Sequence, residues 1–449
     1  MPTAPLKTQE SSILASVISL CKRRGIIFQN SEIYGGIQGF WDYGPIGAQM
    51  KLNLKKLWWH DIVETRRDIV GIDGTIITHP KVWEASGHVK NFADSLAQCK
   101  KCAHRFRTDQ LKKGQEKICP DCGGALLEPK RFNILFETAV GVLEGEKTKA
   151  YLRGEACQNI YLNFQNIINS TRMQIPFGIA QIGKAFRNEV TPKNFTFRSR
   201  EFEQWDIQYF VHPQQMDHWF EYWKKERFSW YQSLLQNKKN IRLRAHRQDE
   251  LVFYAKKAFD IEYKTPFASW SEWEGIHWRA DYDLTQHSKF SGRDLSYRDP
   301  QTGERFLPWI AETSGGVDRT FLFLLLDAYQ EEKLKDGERT VLKLDPRLCA
   351  YQAAVLPLAA NKEELLKKSE KLWQQLSQKF TTDWDDSSNI GKKYRRQDEI
   401  GTPFCLTVDY QSLDDNSVTV RNRDSMKQER VAIPRLETYL TENLKINKT

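Results

Sequence analysis

The segment that most constrains the fold runs from Gly183 to Phe210, GKAFRNEVTPKNFTFRSREFEQWDIQYF. Bulky aromatic and β-branched residues flank a Thr-Pro-Lys-Asn turn, a pattern that predicts an antiparallel hairpin. Glutamates are interleaved with Arg187, Arg198 and Arg200 along it. Arginine forks grip phosphate, while carboxylates bind amino groups or Mg²⁺. The hairpin therefore suits a nucleotide site, although a solvated, salt-bridged hairpin would use the same residues.

A second arginine motif, PWIAETSGGVDRTFLFLLLDAY, runs from Pro308 to Tyr329. It predicts a short strand, a sharp Gly315-Gly316 turn and a helix that is apolar almost all round and therefore buried. Arg319 falls in the first turn of that helix, where the helix dipole favours anions rather than a cation. A bound polyphosphate would explain Arg319, and so would pairing with Asp318 or with a distant carboxylate.

The cysteines fall into two groups. Four are scattered singly and are most simply small core residues, namely Cys21, Cys157, Cys349 and Cys405. The other four form two CxxC pairs, with the ligands Cys99, Cys102, Cys119 and Cys122. Each CxxC turn can aim two thiolates at one ion, so the pairs predict a closed, structural Zn²⁺ site. Disulfides are disfavoured in the cytoplasm, which is the compartment that we expect.

Bulk properties set only broad limits on function. A chain of 449 residues is too long for one ordinary domain. A net charge of +9 fits an anionic partner but does not require one. The first apolar stretch, Ile13 to Cys21, is short and is followed by Lys22-Arg23-Arg24, which argues against a signal peptide. No run is long enough to span a membrane, so we expect a cytoplasmic protein without a membrane partner.

The order of predicted elements gives an α+β fold in two parts. Residues 1–345 alternate short strands with helices, which predicts an antiparallel sheet flanked by helices. The charged segment 97–130 interrupts it as a zinc-ribbon-like insert, and the aromatic segment 219–259 is compatible with a helical insert. Pro346 marks a boundary, after which residues 346–449 alternate strand and helix as in a small α/β domain.

Both arginine motifs resemble motifs 2 and 3 of the class II aminoacyl-tRNA synthetases, and most closely the homodimeric glycyl-tRNA synthetase family. That family shows a phrase like FRNEITPGNFIFRTREFEQ where this chain has FRNEVTPKNFTFRSREFEQ. It shows EPSAGVDR where this chain has ETSGGVDR. The similarity extends from about Ser31 to Val431 and includes YGGIQGFWDYGPIGAQMKLNLKKLWW, EGIHWRADYDL and YRRQDEIGTPFCLTVD. It implies that residues 1–345 are a class II catalytic domain and that residues 346–449 bind the anticodon.

The resemblance also implies a reaction and its partners. Glycine and ATP, with Mg²⁺, would form glycyl-adenylate and pyrophosphate, and the glycyl group would then pass to the 3′ end of tRNA(Gly). The first step needs no side-chain nucleophile, because positioning and neutralisation of charge carry it. A homodimer is implied, with the segment around Lys51–Pro80 at the dimer face.

Individual ATP contacts follow from the same resemblance. Arg187 would bridge the α-phosphate and the amino-acid carboxylate, Arg319 would hold the γ-phosphate, and these two are the implied catalytic residues. Phe202 would stack on adenine, and Glu272 would help to bind Mg²⁺. The implied ATP-binding residues are Arg187, Asn188, Glu189, Phe197, Arg198, Phe202, Glu272, Trp273, Gly316, Asp318 and Arg319.

A glycine site has no side chain to grip, so it must bind the ammonium and leave no room for a methyl group. The resemblance implies an acidic pocket in which Glu155, Glu312 and Ser314 face the glycine and Glu203 and Gln204 stand behind them. Arg107 matches a family position near the substrate. The implied glycine-binding residues are Arg107, Glu155, Phe202, Glu203, Gln204, Glu312 and Ser314. In the C-terminal domain the basic cluster is Lys392, Lys393, Arg395 and Arg396. These four residues are candidates for tRNA binding, and their alternative role is surface solvation.

The chain departs from the family pattern at the edge of the pocket. The family usually has LRPETAQG where this chain has LRGEACQN, Leu152 to Asn159, with the departures between Arg153 and Asn159, and often has proline where this chain has Thr313. The charged residues are kept, so glycine remains the expected substrate.

Two other functions fit the same architecture. One is a non-catalytic nucleic-acid clamp, as in the accessory subunit of the mitochondrial DNA polymerase. The other is a synthetase-like ligase with a different small amino acid or acceptor. The ATP arginines and the pocket acids occur together here, which favours an enzyme, and the YRRQDEIGTPF segment favours a glycine tRNA.

Overall fold

The computed structural model describes residues 9–444, apart from 109, 110, 112, 113, 115, 144, 146, 253 and 336 and the side chains of 9–12, 93, 94 and 107. Helices α1 to α12 are Gln9–Arg23, Pro45–Trp59, Pro80–Ala85, His88–Asn91, Gln158–Ser170, Met216–Leu234, Tyr282–Ser291, Val317–Ala328, Glu363–Leu376, Ile390–Ile400, Gln411–Asp415 and Leu436–Asn443. Strands β1 to β12 are Ile27–Gln29, Trp41–Tyr43, Ile69–Gly71, Ile77–Thr78, Ala93–Gln98, Arg105–Arg107, Lys130–Asn133, Phe136–Val140, Thr148–Leu152, Phe177–Phe186, Glu201–Val211 and Ile241–Ala245. Strands β13 to β24 are Lys257–Lys264, Trp270–Ala280, Tyr297–Arg298, Arg305–Phe306, Trp309–Gly316, Tyr329–Leu334, Gly337–Leu342, Ala353–Pro357, Thr382–Trp384, Phe404–Val408, Ser417–Asn422 and Gln428–Ala432.

A seven-stranded sheet forms the centre of the larger part, in the order β12-β13-β14-β17-β11-β10-β3. Its neighbouring strands are antiparallel except for β10 and β3. The predicted antiparallel sheet with flanking helices is therefore confirmed. Bulky residues from β11, α2 and α6 pack on one face of this sheet, where the rings of Trp58 and Trp205 stack with centroids 5.6 Å apart. The opposite face of the central strands is left open for polar side chains.

The predicted hairpin is present as β10 and β11, but its connection is longer than the Thr-Pro-Lys-Asn turn. Residues 187–200 form a loop that contains a 3₁₀ turn, Phe195–Phe197. Asn194 and Phe195 both adopt positive φ angles, 58° each, which bend the chain back. The backbone of Arg187 donates to Arg200 O at 2.9 Å and closes the base of the loop. The arginines thus project from the loop rather than from the strands.

The segment 219–259 is not a helical insert. It is helical only to the end of α6 at Leu234, and then it forms the edge strand β12 and the beginning of β13 of the main sheet. Its aromatic residues, Phe220, Trp223, Trp230 and Tyr231 among them, lie in the main core. Aromatic side chains at helical spacing correctly indicated α6. The strands β12 and β13 that follow could not be predicted in this way, because they pair with strands distant in the sequence.

Gly315 serves close packing rather than a sharp turn. Strand β17 continues through Gly316, and α8 begins directly at Val317. A Cβ at Gly315 would lie 2.5 Å from Trp205 Nε1 and 2.7 Å from Glu274 Oε2. Only glycine lets the strand pass over these buried groups without displacing them.

A five-stranded sheet, in the order β21-β20-β22-β23-β24, forms a separate C-terminal unit. Strand β20 is parallel to β21 and β22, and the remaining pairs are antiparallel, as expected for a small mixed sheet. It has its own core beneath α9 and α12. Buried Asp398 of α10 accepts hydrogen bonds from Arg421 of this sheet and from Arg339 of the β18–β19 hairpin. The hairpin is thereby fastened to the C-terminal unit.

None of the helices in the described part of the chain combines the length and the apolar character needed to cross a lipid bilayer.

Candidate active site

A cavity of about 350 Å³ lies on the open face of the main sheet. Strand register explains its composition, because residues paired across neighbouring strands share a face. Asp206 pairs with Ser314, and Ser314 pairs with Gly275 on the other side. In the next row Glu312 pairs with His277. Polar side chains from three strands therefore meet in one hollow.

The two motif arginines, Arg187 and Arg319, line this same cavity. Arg187 donates from Nε to Gly154 O at 2.9 Å, and its guanidinium lies over the rings of Phe92 and Phe202. It has no carboxylate partner within 4 Å among the described residues. A guanidinium held by a backbone carbonyl and two rings keeps free N–H groups for an anion.

Arg319 reaches the cavity from the first turn of α8. Its Nη1 donates to Glu272 O at 2.9 Å and lies 3.5 Å from the Glu272 carboxylate. Its guanidinium also stacks on the ring of Phe197, with Cζ 4.8 Å from the centroid. Both groups that hold Arg319 stand at the cavity wall, so the side chain is fixed at the rim rather than turned into the core. The site has a second cation available for an anionic ligand.

Acidic residues form the cavity floor, and Glu312 is the most heavily bonded of them. Arg279 Nη1 contacts both of its oxygens at 2.9 and 3.0 Å, and Gln208 Nε2 donates to Oε1 at 2.9 Å. His277 Nδ1 lies 3.0 Å from Oε2. Burial works to raise the pKa of Glu312, but the charges of Arg279 and His277 outweigh it and lower the pKa to about 2. Glu312 is therefore an anion.

Glu155 is a second floor carboxylate. Its Oε1 lies 3.1 Å from His88 Nε2 and accepts from Gln158 Nε2 at 3.0 Å and from the Cys157 thiol at 2.9 Å. Burial acts to raise the pKa of Glu155, but His88 first, and then the Arg279 charge and the Cys157 thiol, hold this pKa well below its usual value. Neither Glu155 nor Glu312 pairs with Arg153, which donates instead to backbone carbonyls of Gly74 and Lys184.

Asp206 behaves differently from these two. It is fully buried, accepts from Ser314 Oγ at 3.1 Å, and lies beside Glu312. Burial first, and then the Glu312 charge, raise the pKa of Asp206 well above its usual value. The floor thus combines two anionic carboxylates with a third that favours the neutral form.

Most of the ATP-binding residues that the sequence predicted line this cavity. These are Arg187, Glu189, Phe197, Arg198, Phe202, Glu272, Gly316, Asp318 and Arg319. Asp318 sits at its edge and is neutralised by buried Lys51 at 2.6 Å. Burial acts to raise the pKa of Asp318, but Lys51 lowers it. Asp318 therefore braces α8 against α2.

Two members of that predicted set lie elsewhere. Trp273 is fully buried in the core and donates to Thr320 Oγ1 at 2.9 Å, so the prediction that it contacts ATP is wrong. A bulge in β14 opposite Ile261 and Glu262 shifts the alternation, which leaves Glu272 at the cavity and turns Trp273 to the core. Asn188 is an exposed residue of the loop and is not among the described residues that line the cavity.

Five of the predicted glycine-binding residues line the cavity, namely Glu155, Phe202, Gln204, Glu312 and Ser314. Glu203 does not, because strand alternation turns it to the other face of β11, where it pairs with Lys51 and Lys55 at 2.7 and 2.8 Å. That part of the prediction is wrong. Arg107 belongs to β6, and its side chain lies outside the described residues.

The basic cluster of α10 is only partly at the surface. Lys392 and Arg395 are exposed, and Arg396 is half-buried and pairs with Asp385. Lys393 is fully buried and donates from Nζ to Pro357 O at 2.7 Å, so the prediction that it binds tRNA is wrong. Positions 393 and 397 share the helix face that packs on the sheet. The run of basic residues in the sequence does not show which of them falls on that buried face.

Sequence reasoning missed several cavity residues. They come from β11, from β14 and from the segment between α6 and the end of β13, and they are Asp206, His246, Tyr254, Asp260 and His277. Asp206 could have been found, because it follows Phe202 and Gln204 at the spacing of two that keeps one strand face. The others depend on strand pairings that the sequence does not reveal.

The four insert cysteines converge. Their sulfurs all lie within 4.8 Å of one another, with Cys99 Sγ 3.5 Å from Cys122 Sγ and Cys102 Sγ 3.6 Å from Cys119 Sγ. The backbone N–H groups of Lys101 and Cys102 also point at Cys99 Sγ, at 3.3 and 3.4 Å. Donors of this kind stabilise a thiolate. The cluster can hold a metal ion.

Chemically, the cavity places two guanidinium groups and an aromatic ring at its rim and anionic carboxylates at its floor. Such a site can bind a polyanion at one end and an ammonium at the other. It has the charge distribution that activation of an amino acid by a nucleotide requires.

Comparisons with known proteins agree with this arrangement. Residues 140–329 match the family model of the tRNA synthetase class II core domain (G, H, P, S and T), and residues 352–443 match the anticodon binding domain. The chain is 50% identical over 432 residues to a glycine–tRNA ligase of Treponema denticola, covering 94% of this chain and 95% of that protein. It is 48% identical over 457 residues to a glycine–tRNA ligase of Thermobifida fusca, covering 97% and 99%.

A solved structure shares the fold. The prolyl-tRNA synthetase of Cryptosporidium parvum, determined with L-proline and AMP, superposes with a TM-score of 0.64. The match covers 96% of this chain and 74% of that chain at 16% sequence identity. At this identity the likeness describes architecture only.

Proposed function

The chain belongs to the glycine–tRNA ligase family of class II aminoacyl-tRNA synthetases, and on that premise we propose how its cavity activates glycine. The enzyme uses ATP to attach glycine to its tRNA. The observation that carries the proposal is the meeting of Arg187, Arg319 and Glu312 in one cavity. Neither a non-catalytic clamp nor a ligase for another acceptor is favoured, because near-full-length relatives at about half identity are glycine–tRNA ligases.

In the proposed activation step, ATP lies along the rim and glycine lies on the floor. Arg187 contacts the α-phosphate and the glycine carboxylate, and Arg319 holds the terminal phosphates. The ring of Phe202 or Phe197 supports adenine. As the glycine carboxylate oxygen bonds to the α-phosphorus, the bond from that phosphorus to the β-phosphate oxygen breaks and pyrophosphate leaves. Charge grows on the phosphate oxygens during this exchange, and fixed guanidinium groups stabilise that charge without reorganisation. No general base is needed in this step, because glycine enters with its carboxylate already ionised.

Mg²⁺ fits the same rim. The Glu272 carboxylate is about half exposed, and Arg319 Nη1 lies 3.5 Å from its Oε1. Hard, oxygen-rich sites of one or two carboxylates plus phosphates suit Mg²⁺. When bound, the ion neutralises phosphate charge, and Glu272 would be its protein ligand.

Glycine is held by its ammonium and selected by size. Glu155 and Glu312 supply the negative charge, and Ser314 and Gln204 bond each other across the floor at 2.5 Å. We assign the ammonium to the space between these groups. Alanine would place a methyl group against the same polar wall, where it finds no apolar contact.

Amino-acid-dependent ATP–pyrophosphate exchange tests this assignment. Glycine should support exchange, and alanine and serine should support it at least about tenfold less well, the smallest effect expected of one extra methylene. Glu312→Gln should raise KM for glycine about 10- to 100-fold, the loss of a charge-assisted hydrogen bond, and leave KM for ATP nearly unchanged. The matched control is Glu304→Gln, an exposed residue outside the cavity. An unchanged KM for glycine in Glu312→Gln would refute the ammonium assignment.

For the cysteine cluster we propose a structural Zn²⁺. The sulfur spacings of 3.5 and 3.6 Å are near the ~3.8 Å edge of a tetrahedron with Zn–S bonds of about 2.3 Å. A Cys₄ site is closed, so the ion would order the insert and take no part in catalysis.

Metal analysis of the purified protein checks the zinc proposal. About one zinc per chain is expected, and Cys99→Ser with Cys122→Ser should abolish it and leave the insert open to proteolysis. Cys21→Ala, which alters a single core cysteine, should keep the metal. Zinc-free wild-type protein with a protease-resistant insert would contradict the proposal.

We also propose a homodimer and binding of tRNA by the C-terminal unit. Three exposed apolar side chains, Leu52, Ile76 and Ile77, lie in the segment around Lys51–Pro80 and support an interface there. Exposed Lys392 and Arg395 support a phosphate contact on α10, whereas Arg396 is engaged by Asp385.

A further inference from the structure

The Glu312 carboxylate has one acceptor position left for a substrate. An ionised carboxylate accepts about four hydrogen bonds. Three are made here, by Arg279 and Gln208 to Oε1 and by Arg279 to Oε2. His277 Nδ1 lies 3.0 Å from Oε2 without a hydrogen bond to it, and this buried nitrogen has no hydrogen-bond partner among the described residues. An ammonium that binds the remaining position on Oε2 must therefore displace His277 or one of the other two residues.

Two of the three partners are locked in place. Arg279 is 1% exposed and is also held by Asp283, at 2.7 and 2.9 Å. Gln208 is fully buried, and its Oε1 accepts from Tyr161 Oη at 2.7 Å. Neither of them lines the cavity, whereas His277 does, and its side chain is 15% exposed. His277 is the partner that can move.

The surroundings of His277 leave Glu312 as its main anionic contact. Asp260 of β13 is engaged by His246 Nε2 at 2.8 Å and by Arg244 Nη2 at 3.1 Å. The rings of His246 and Tyr254 flank the imidazole with centroids at 6.4 and 6.1 Å. The remaining charges that face His277 are Arg279 and Glu272 on its own strand and Glu312 on β17.

We infer that His277 is a positioning residue that occupies the ammonium-binding oxygen of Glu312 and must give up this contact when glycine binds. The inference rests on the proposed glycine site and identifies which side chain yields to the substrate. Oε2 of Glu312 already accepts from the Arg279 guanidinium, so an imidazolium and an ammonium at the same oxygen would bring three cations together and repel each other. Glycine binding is therefore coupled to loss of the His277 proton.

The direction of the pH dependence follows from the charges. Burial acts to lower the pKa of His277, but its contact with Glu312 outweighs burial and raises the pKa above the usual value. Below that pKa the imidazolium blocks Glu312, and above it the neutral ring yields. As the pH rises toward the pKa of His277, KM for glycine should fall about tenfold per pH unit. Above that pKa it should level off.

The experiment measures KM for glycine by ATP–pyrophosphate exchange from pH 6 to 9, at saturating ATP, in the wild type and in His277→Gln. Glutamine keeps a neutral donor for Glu312 but cannot titrate. We expect the wild-type dependence to flatten in His277→Gln, with a lower KM than the wild type at pH 6 and little change in kcat. His277→Asn serves the same purpose if the glutamine variant does not fold.

Calorimetry of glycine binding in two buffers of different ionisation enthalpy gives a readout independent of turnover. The wild type should release a proton on binding glycine at a pH below the His277 pKa, and His277→Gln should release none. If KM for glycine depends on pH in the same way in both proteins, or if the wild type releases no proton, the inference is overturned. Absence of glycine-dependent exchange at every pH would instead refute the proposed function.

Discussion

Replacing Arg187 by methionine should slow glycine-dependent ATP–pyrophosphate exchange about a hundredfold, a loss of about 3 kcal/mol of transition-state stabilisation. Arg187 is held by Gly154 O and by two aromatic rings. Its free N–H groups are therefore already oriented for the α-phosphate before the substrate binds. Methionine keeps comparable bulk against Phe92 and Phe202 but cannot stabilise charge on the α-phosphate. The variant should fold, because no described carboxylate within 4 Å loses its partner.

Rates measured at saturating ATP and glycine separate this effect from binding. The loss should appear in kcat, since the contact strengthens as the phosphate gains charge. The matched control, Arg293→Met, removes an exposed arginine of the loop after α7 and should leave the rate unchanged. Exchange by Arg187→Met within threefold of the wild type would contradict the role of Arg187.

Replacing Arg227 by methionine should lower the free energy of unfolding of the larger unit by about 3–5 kcal/mol. Arg227 of α6 and Glu274 of β14 are both fully buried, and Arg227 Nε lies 2.7 Å from Glu274 Oε1. Tyr231 Oη and Trp205 Nε1 complete the shell of the carboxylate at 2.6 and 3.0 Å. Removing the guanidinium leaves a charge in the core with no cation to balance it.

Urea unfolding followed by tryptophan fluorescence measures this effect, since Trp205 belongs to the network. The double variant Arg227→Met with Glu274→Gln should recover most of the lost stability, because it removes both charges. Lys224→Met, on the same helix but with an exposed partner, should change stability by less than about 1 kcal/mol. A single variant as stable as the wild type would show that the pair contributes nothing.

The motifs predicted the site better than they predicted the chain around it. Arg187 and Arg319 are 132 positions apart by their numbers, yet both line one cavity, because β10, β11 and β17 are neighbours in the sheet. The alternation along β11 was available in the sequence. It would have assigned Phe202, Gln204 and Asp206 to one face and Glu203 to the other.

Other features could not be predicted from local patterns. The bulge that turns Trp273 to the core arises from the pairing of β13 with β14. The burial of Lys393 depends on the sheet beneath α10. His277 and Glu312 meet only because β14 and β17 pair in one register. In each case the missing information was the partner strand, which tertiary packing decides.

The central claim is that one cavity binds the nucleotide at Arg187 and Arg319 and the glycine ammonium at Glu312. A crystal structure with a non-hydrolysable glycyl-adenylate analogue tests it most directly. The account predicts the phosphate mimic within hydrogen-bond distance of Arg187, the adenine on the ring of Phe202 or Phe197, and the ammonium on Glu312 with His277 displaced. An analogue bound outside this cavity, or bound with its ammonium away from Glu312, would contradict it.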